Sequence, residues 1–253
     1  RRFEFRTLLK KVPDAENKNA ADPTLAYRLI ETEKDFAELK KRLTKEKVWA
    51  FDFETTDVNP LLAEPVGVSF SFEEKKAYFV SFGRSLKAKE CLGSLKGLFE
   101  DPAIRKVGQN LKYEILILKN FGIELQGVWF DTMVASYCLN PAKPNHNLDD
   151  IAMEQLGVRI TSIGELIGKG KGQIKMDAVE LEKLTHYGCQ DSDVTLRLSK
   201  VLGEKLREKE MTELFEEMEM PLVGVLSDME WAGVAIDQEL LADLSVQMEK
   251  ELA

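Results

Sequence analysis

Between Lys47 and Phe82 apolar residues alternate with others at the period of two that marks β-strands. The segments KVWAFDFETT, VGVSFSF and AYFVSF follow one another with short connections, the last after the charged turn EEKK. This spacing predicts an antiparallel meander of three strands. Downstream the period lengthens. AKECLGSLKGLFED predicts a helix, RKVGQ a short strand, and NLKYEILILKNFG a helix closed by glycine. FDTMVASYCL and NLDDIAMEQLG predict two further helices, with Asp131 and Asn147 placed to cap them. Asp177 to about Lys209 is predicted as helix, with Gly188 as the place for a bend. A long helix follows from Thr212, then VAID as a short strand, then a final helix. At the other end FRTLLKK predicts a short helix, and VPDAENKNAADPT, with two prolines, a linker. No internal repeat or low-complexity tract is present.

A length of 253 residues allows one large domain, or one with appended segments. No apolar run approaches the ~20 residues needed to span a bilayer, and RRFEFRTLLKK has neither the apolar core nor the cleavage site of a secretion signal. Cys91, Cys138 and Cys189 are far apart and form no C-x-x-C pair, which argues for core positions in a reducing interior rather than a disulfide framework. The net charge of −9 argues against wrapping a nucleic acid, because sequence-independent affinity comes from Lys and Arg. Carboxylates that hold divalent cations invert the local field, so an acidic chain can still grip one end of a strand.

Three groups of residues carry candidate chemistry. Asp52 and Glu54, at i and i+2 of a strand, share one face with the smaller Val48 and Ala50. Trp49, Phe51 and Phe53 take the opposite face, which is read as the buried one. Two adjacent carboxylates repel, and a divalent cation is the usual compensation. Tyr187 and Asp191, at i and i+4, stand on one helix face, where a phenol can share a hydrogen bond with an acid. Glu114 lies beside the apolar stripe Leu111, Ile115, Leu118 and Phe121, an unusual place for an acid without a cation or partner. Each group alone also reads plainly: an exposed strand end, an acid facing water, a first-turn acid favoured by the helix dipole.

In this order FDFETTD, KVGQNLKYE and HYGCQDSD resemble the three exonuclease motifs of the proofreading domain of bacterial-type family A DNA polymerases, in the class with tyrosine in the third motif. FDTMVASYCLNP with HNLDDIAMEQLG resembles that family's connecting segment, and EMEMPLVGVLSDMEWAGVAID the opening of its polymerase domain. FRTLLKK is similar to the tail that follows the family's 5′-nuclease domain. The resemblance implies an α/β fold of the ribonuclease H-like type, a mixed sheet with an antiparallel three-strand meander and packed helices. It implies an N-terminal helix and linker over 1–23, an exonuclease domain over 24–208, and the start of a polymerase domain over 209–253. The implied activity is metal-dependent 3′→5′ hydrolysis of the terminal phosphodiester of single-stranded or frayed DNA, with two Mg²⁺ or Mn²⁺ ions, proofreading for the polymerase in cis. The implied protein is a cytoplasmic monomer working at the nucleoid. By the same resemblance Asp52 would bridge both ions, and Glu54 and Asp191 would complete the site for the ion that activates water. Glu114 would serve the second ion, and Tyr187 would orient the water. Val58 would pack on the terminal base, with Asn110 and Lys112 as further DNA contacts.

Two features depart from the pattern. The family usually has aspartate where this chain has Glu114, and an extra methylene moves a carboxylate by ~1.5 Å. Mg²⁺ tolerates misplacement poorly, so Mn²⁺ is the expected better activator. His186 also stands five residues before Asp191, the spacing of a sister class with histidine in its third motif; the i,i+4 geometry favours Tyr187. His146 is read as a structural neighbour of a helix start. GKGKGQIK, the most positive stretch, is either a phosphate contact or a solvated loop. A catalytically silent fold kept as a platform for the polymerase is the alternative function; the retained acids argue for activity.

Overall fold

The computed structural model describes residues 24–83 and 85–252. The helix and linker expected before residue 24 lie outside the described residues. Strands β1 (Ala26–Ile30), β2 (Val48–Thr55), β3 (Pro65–Glu73), β4 (Lys76–Ser81), β5 (Arg105–Gly108) and β6 (Val128–Asp131) form one six-stranded sheet in the order β1-β4-β3-β2-β5-β6. The predicted meander is β2–β3–β4, antiparallel throughout, while β1, β5 and β6 each pair in parallel with their neighbours. The helices are α1 (Glu33–Leu43), α2 (Ala88–Phe99), α3 (Leu111–Asn120), α4 (Thr132–Leu139), α5 (Leu148–Gln155), α6 (Ile163–Leu166), α7 (Leu181–Glu208), α8 (Met220–Ala232) and α9 (Gln238–Leu252). Among the described residues no helix is long and apolar enough to cross a membrane. All three cysteines are buried and free.

The alternation in the meander sends two different populations of side chains to the two faces of the sheet. Trp49 and Phe51 of β2 meet Phe99 of α2 edge-on, with ring centroids 5.5 and 5.4 Å apart, and Phe70 of β3 joins them. Such tilted contacts suit the aromatic quadrupole and add to the burial of large apolar surface. The opposite face carries Ala50, Asp52 and Glu54 of β2, Ser69 and Ser71 of β3, and Ala77 and Phe79 of β4. The sequence pattern marked only the aromatic face as buried. The structure buries both, because α7 lies across the second face and Glu54 is left 3% exposed. Phe79 there joins Met176, Leu184 and Cys189 in a small cluster of its own.

Several local expectations are corrected. Residues 24–46, given no element from the sequence, form β1 and α1; Thr32 caps α1 by accepting from the Asp35 amide at 3.1 Å. VWFD is strand β6, so the helix expected at Phe130 begins only at Thr132. Asn147 occupies the cap position of α5 without a side-chain capping bond. Helix α7 starts at Leu181 rather than Asp177, after a single 3₁₀ turn at Met176–Ala178. The helix from Thr212 passes through a π-helical stretch, Leu214–Glu219, just before Pro221. Proline has no N–H to return to the carbonyl four residues back, and the ladder accommodates that loss by widening. VAID forms no strand: a strand needs a hydrogen-bonding neighbour, and Val234 and Ile236 are largely exposed.

Candidate active site

Strand β2 lies between β3 and β5, so its C-terminal half delivers Asp52 and Glu54 to the middle of the sheet. Helix α7 crosses above them. It approaches closely because Gly188 has no side chain: a Cβ there would meet Phe79 at 2.8 Å and Glu54 Oε1 at 3.3 Å. One turn further along, Asp191 reaches the same point. Carboxylate oxygens of Asp52, Glu54 and Asp191 all lie within 4.8 Å of one another. Glu114, from the first turn of α3, stands outside that cluster, but its charge is felt by Glu54 and it feels Asp52 in turn. Its carboxyl is buried and takes a hydrogen bond from the Phe53 amide.

Withdrawal from water raises the proton affinity of every acid in the group. Burial pushes Asp52 up to about 7. Glu54 rises well above the carboxylate range, first through burial and then through the charges of Asp52, Asp191 and Glu114. Glu114 and Asp191 rise for the same first reason, with Asp52 as the main charge acting on each. Tyr187 donates a hydrogen bond to Asp191, partly offsetting that rise. Its own phenol, raised by burial and then by Asp191, stays protonated. Among the described residues, Glu54 Oε1, Glu114 Oε2 and Asp191 Oδ1 are buried with no hydrogen-bond partner. Orphaned buried oxygens are costly, and oxygen-only donors are what Mg²⁺ and Mn²⁺ take, so these residues fit a divalent cation.

The remaining sequence-predicted residues surround this centre unevenly. Val58 is 89% exposed on the loop after β2. Asn110 is half-buried at the start of α3 in the left-handed conformation, φ 62°. Lys112, in the first turn of α3, is ion-paired with Glu230 of α8. His186 is exposed, with its ring against Tyr27 at 5.4 Å. His146 shares a 2.8 Å hydrogen bond with Ser136 Oγ, a structural contact. GKGKGQIK forms a 3₁₀ turn at Gly170–Gly172 flanked by exposed Lys169 and Lys175.

Three supporting features were not assigned from sequence. Tyr113 Oη donates to the Asp57 carbonyl at 2.6 Å and also bonds Thr55, pinning the loop that carries Val58. Asp193 accepts from Tyr27 Oη at 2.9 Å and from the Lys75 amide at 2.6 Å, fastening α7 to β1 and to the β3–β4 turn. Gly188 sets the distance between α7 and the sheet. The second aspartate of HYGCQDSD was a visible signal for Asp193, but its partners lie more than 100 residues away.

A mixed sheet whose central strand offers two acids to a third on the crossing helix is the arrangement of a ribonuclease H-like nuclease. Residues 27–207 match the 3′-5′ exonuclease family model, and the chain belongs to that family, the exonuclease domain of family A DNA polymerases. It is 34% identical to DNA polymerase I of Pseudomonas aeruginosa over 270 residues, covering all of this chain and 30% of that protein. It is 33% identical to DNA polymerase I of Rhizobium leguminosarum, over 79% of this chain and 22% of that one. The chain thus spans about a third or less of these relatives' length. Among solved structures, the POL domain of Pol1 from M. smegmatis, in complex with DNA primer-template and dNTP, superposes with TM-score 0.71. It is 20% identical, over 88% of this chain and 35% of that one. Brucella melitensis NrnC shares the fold with TM-score 0.62 and 21% identity, over 83% of this chain and 96% of that one.

Proposed function

We propose that this domain removes nucleotides from the 3′ end of single-stranded or frayed DNA by two-metal hydrolysis, and that it proofreads for a polymerase domain in the same chain. The observation that carries the proposal is the convergence of Asp52, Glu54 and Asp191 within 4.8 Å, two of them with buried oxygens that have no hydrogen-bond partner among the described residues. Asp52, Glu54 and Asp191 would hold one Mg²⁺ or Mn²⁺ ion, with Asp52 shared with a second that Glu114 serves. Bound there, such ions supply an activated water and neutralise the oxygens of the phosphodiester being cleaved.

The chain's own residues do the rest. Tyr187, held by Asp191 and kept protonated, presents a fixed O–H toward the cluster and restricts where a water can sit. Val58, exposed on a loop that Tyr113 holds in place, offers an apolar surface to the terminal base, and Asn110 and Lys112 are the polar contacts on α3. The exonuclease domain would occupy 24–208 and the start of the polymerase domain 209–253. The matched region ends at residue 207, and beyond it Met229, Ile236 and Leu252 are 61%, 65% and 85% exposed, apolar side chains suited to burial against a further domain.

The test is digestion of a 5′-labelled single strand, with and without a 3′-terminal phosphorothioate, in Mg²⁺, Mn²⁺ and chelator. Stepwise loss of 3′ nucleotides in metal alone supports the proposal. Absence of cleavage in either metal, or internal cuts, would overturn it.

A further inference from the structure

Asp131 is 1% exposed and accepts from four backbone amides. Oδ1 takes the Met133 and Val134 amides of α4 at 2.8 and 3.3 Å, an ordinary N-cap. The same oxygen also takes the Asn110 amide at 3.1 Å, and Oδ2 takes the Leu111 amide at 2.6 Å. Those two amides open α3, which begins 20 residues earlier in the chain. One carboxylate therefore caps two helices, and both positive helix ends face its charge.

The first cap needs no aspartate in particular, since serine or asparagine serves as well. The second explains the choice. Asn110 has φ 62° and ψ 50°, a conformation that L-residues avoid but asparagine tolerates, and it turns two successive N–H groups toward a single point. Neighbouring contacts hold the same loop. Thr132 Oγ donates to the Gly108 carbonyl at 3.2 Å and bonds Gln109, and Gly108 lies so close to Leu111 that a Cβ would sit 2.3 Å from Cδ2. Glu114 follows Leu111 by three residues, less than one turn of α3. Its height and direction are consequently fixed from Asp131.

We propose that Asp131 is a positioning residue for Glu114: it locks the first turn of α3 in the orientation that aims this carboxylate at the site. The inference rests on Glu114 being a site carboxylate. Asp131→Asn keeps an oxygen for the α4 cap but sets an NH₂ against one of the α3 amides. Asp131→Ser keeps the α4 cap with a side chain too short to reach across, and provides a folded variant if the amide is not tolerated.

The experiment combines hydrogen exchange in the metal-free domain with steady-state kinetics on single-stranded DNA. Expected is faster exchange over residues 110–116 with α4 unchanged, and a fall in kcat of about tenfold or more, the scale on which small misplacements act, with KM within about twofold. In the Asp131→Asn/Glu114→Gln double variant the loss should be no greater than for Glu114→Gln alone, because both act through one group. Unchanged exchange over 110–116, or losses that multiply in the double variant, would overturn the proposal. Asp52→Ala runs alongside as a separate arm. Activity surviving that change would refute the site reading, while the exchange data would still report whether Asp131 holds α3.

Discussion

Gly188 and Glu54 approach so closely that a Cβ on the glycine would lie 3.3 Å from Glu54 Oε1, while meeting Phe79 at 2.8 Å. Phe79 is fully buried and has no room to retreat. Gly188→Ala should therefore lift α7 from the sheet and carry Asp191 away from Asp52 and Glu54. Overpacking of this kind destabilises by about 1–3 kcal/mol, and a misplacement near 1 Å costs roughly a hundredfold in turnover. Thermal melts and kinetics on the same sample check both. Activity within twofold of the parent would show that α7 is free to adjust.

Asp52→Asn should abolish hydrolysis, by about a thousandfold or more if the acids act as one unit, and should raise the melting temperature in chelator. It removes a charge that repels Glu54, Glu114 and Asp191 and that burial already disfavours. A rise of about 2–4 °C corresponds to roughly 1 kcal/mol in a domain of this size. A lower melting temperature with activity retained would make Asp52 structural instead.

The stability of the metal-free domain should decline as pH rises from about 4 to about 8. Each acid in the site has a higher proton affinity folded than unfolded, Asp52 reaching about 7 from 3.8. Over that window the folded state binds more protons, so ionisation favours the unfolded chain. Melts in chelator across this range should slope downward, flatten in Asp52→Asn, and recover when Mg²⁺ is added at pH 8. A flat parent profile would contradict the raised affinities.

Glu114→Asp should leave Mg²⁺-supported activity unchanged or raise it, and should narrow the gap between Mg²⁺ and Mn²⁺. Glu114 Oε2 is buried without a partner among the described residues, and the backbone of α3 is held at its start, so the change acts through side-chain reach. The readout is turnover of single-stranded DNA in each metal. A loss of about tenfold or more in both would show that the backbone has adapted to the longer side chain.

The meander and the acid pair were legible because β-strand alternation and D-x-E spacing are local properties of the chain. Tyr187 and Asp191 were legible for the same reason, through helical periodicity. The burial of Glu54 was not, because it depends on α7, more than 100 residues away, and on a single glycine in it. Strand β1 is not legible in AYRLI, which at the sheet edge mixes exposed and buried positions, although Thr32 and Asp35 carry a usable capping signal for α1. The capping role of Asp131 toward α4 was readable from its place before a helix. Its hold on α3 joins residues that only the pairing of β5 with β6 brings together.

The two faces of β2 divide their labour in a way that bears on how such a domain can change. Trp49 and Phe51 anchor the aromatic layer on one side, while burial and mutual repulsion disfavour the ionised acids on the other when no cation is bound. Substitutions that erase the chemistry therefore leave the scaffold standing, or firmer. A lineage released from the need to cleave would be able to lose its acids without losing its shape, and the surviving fold would remain available as a rigid neighbour for whatever it is joined to.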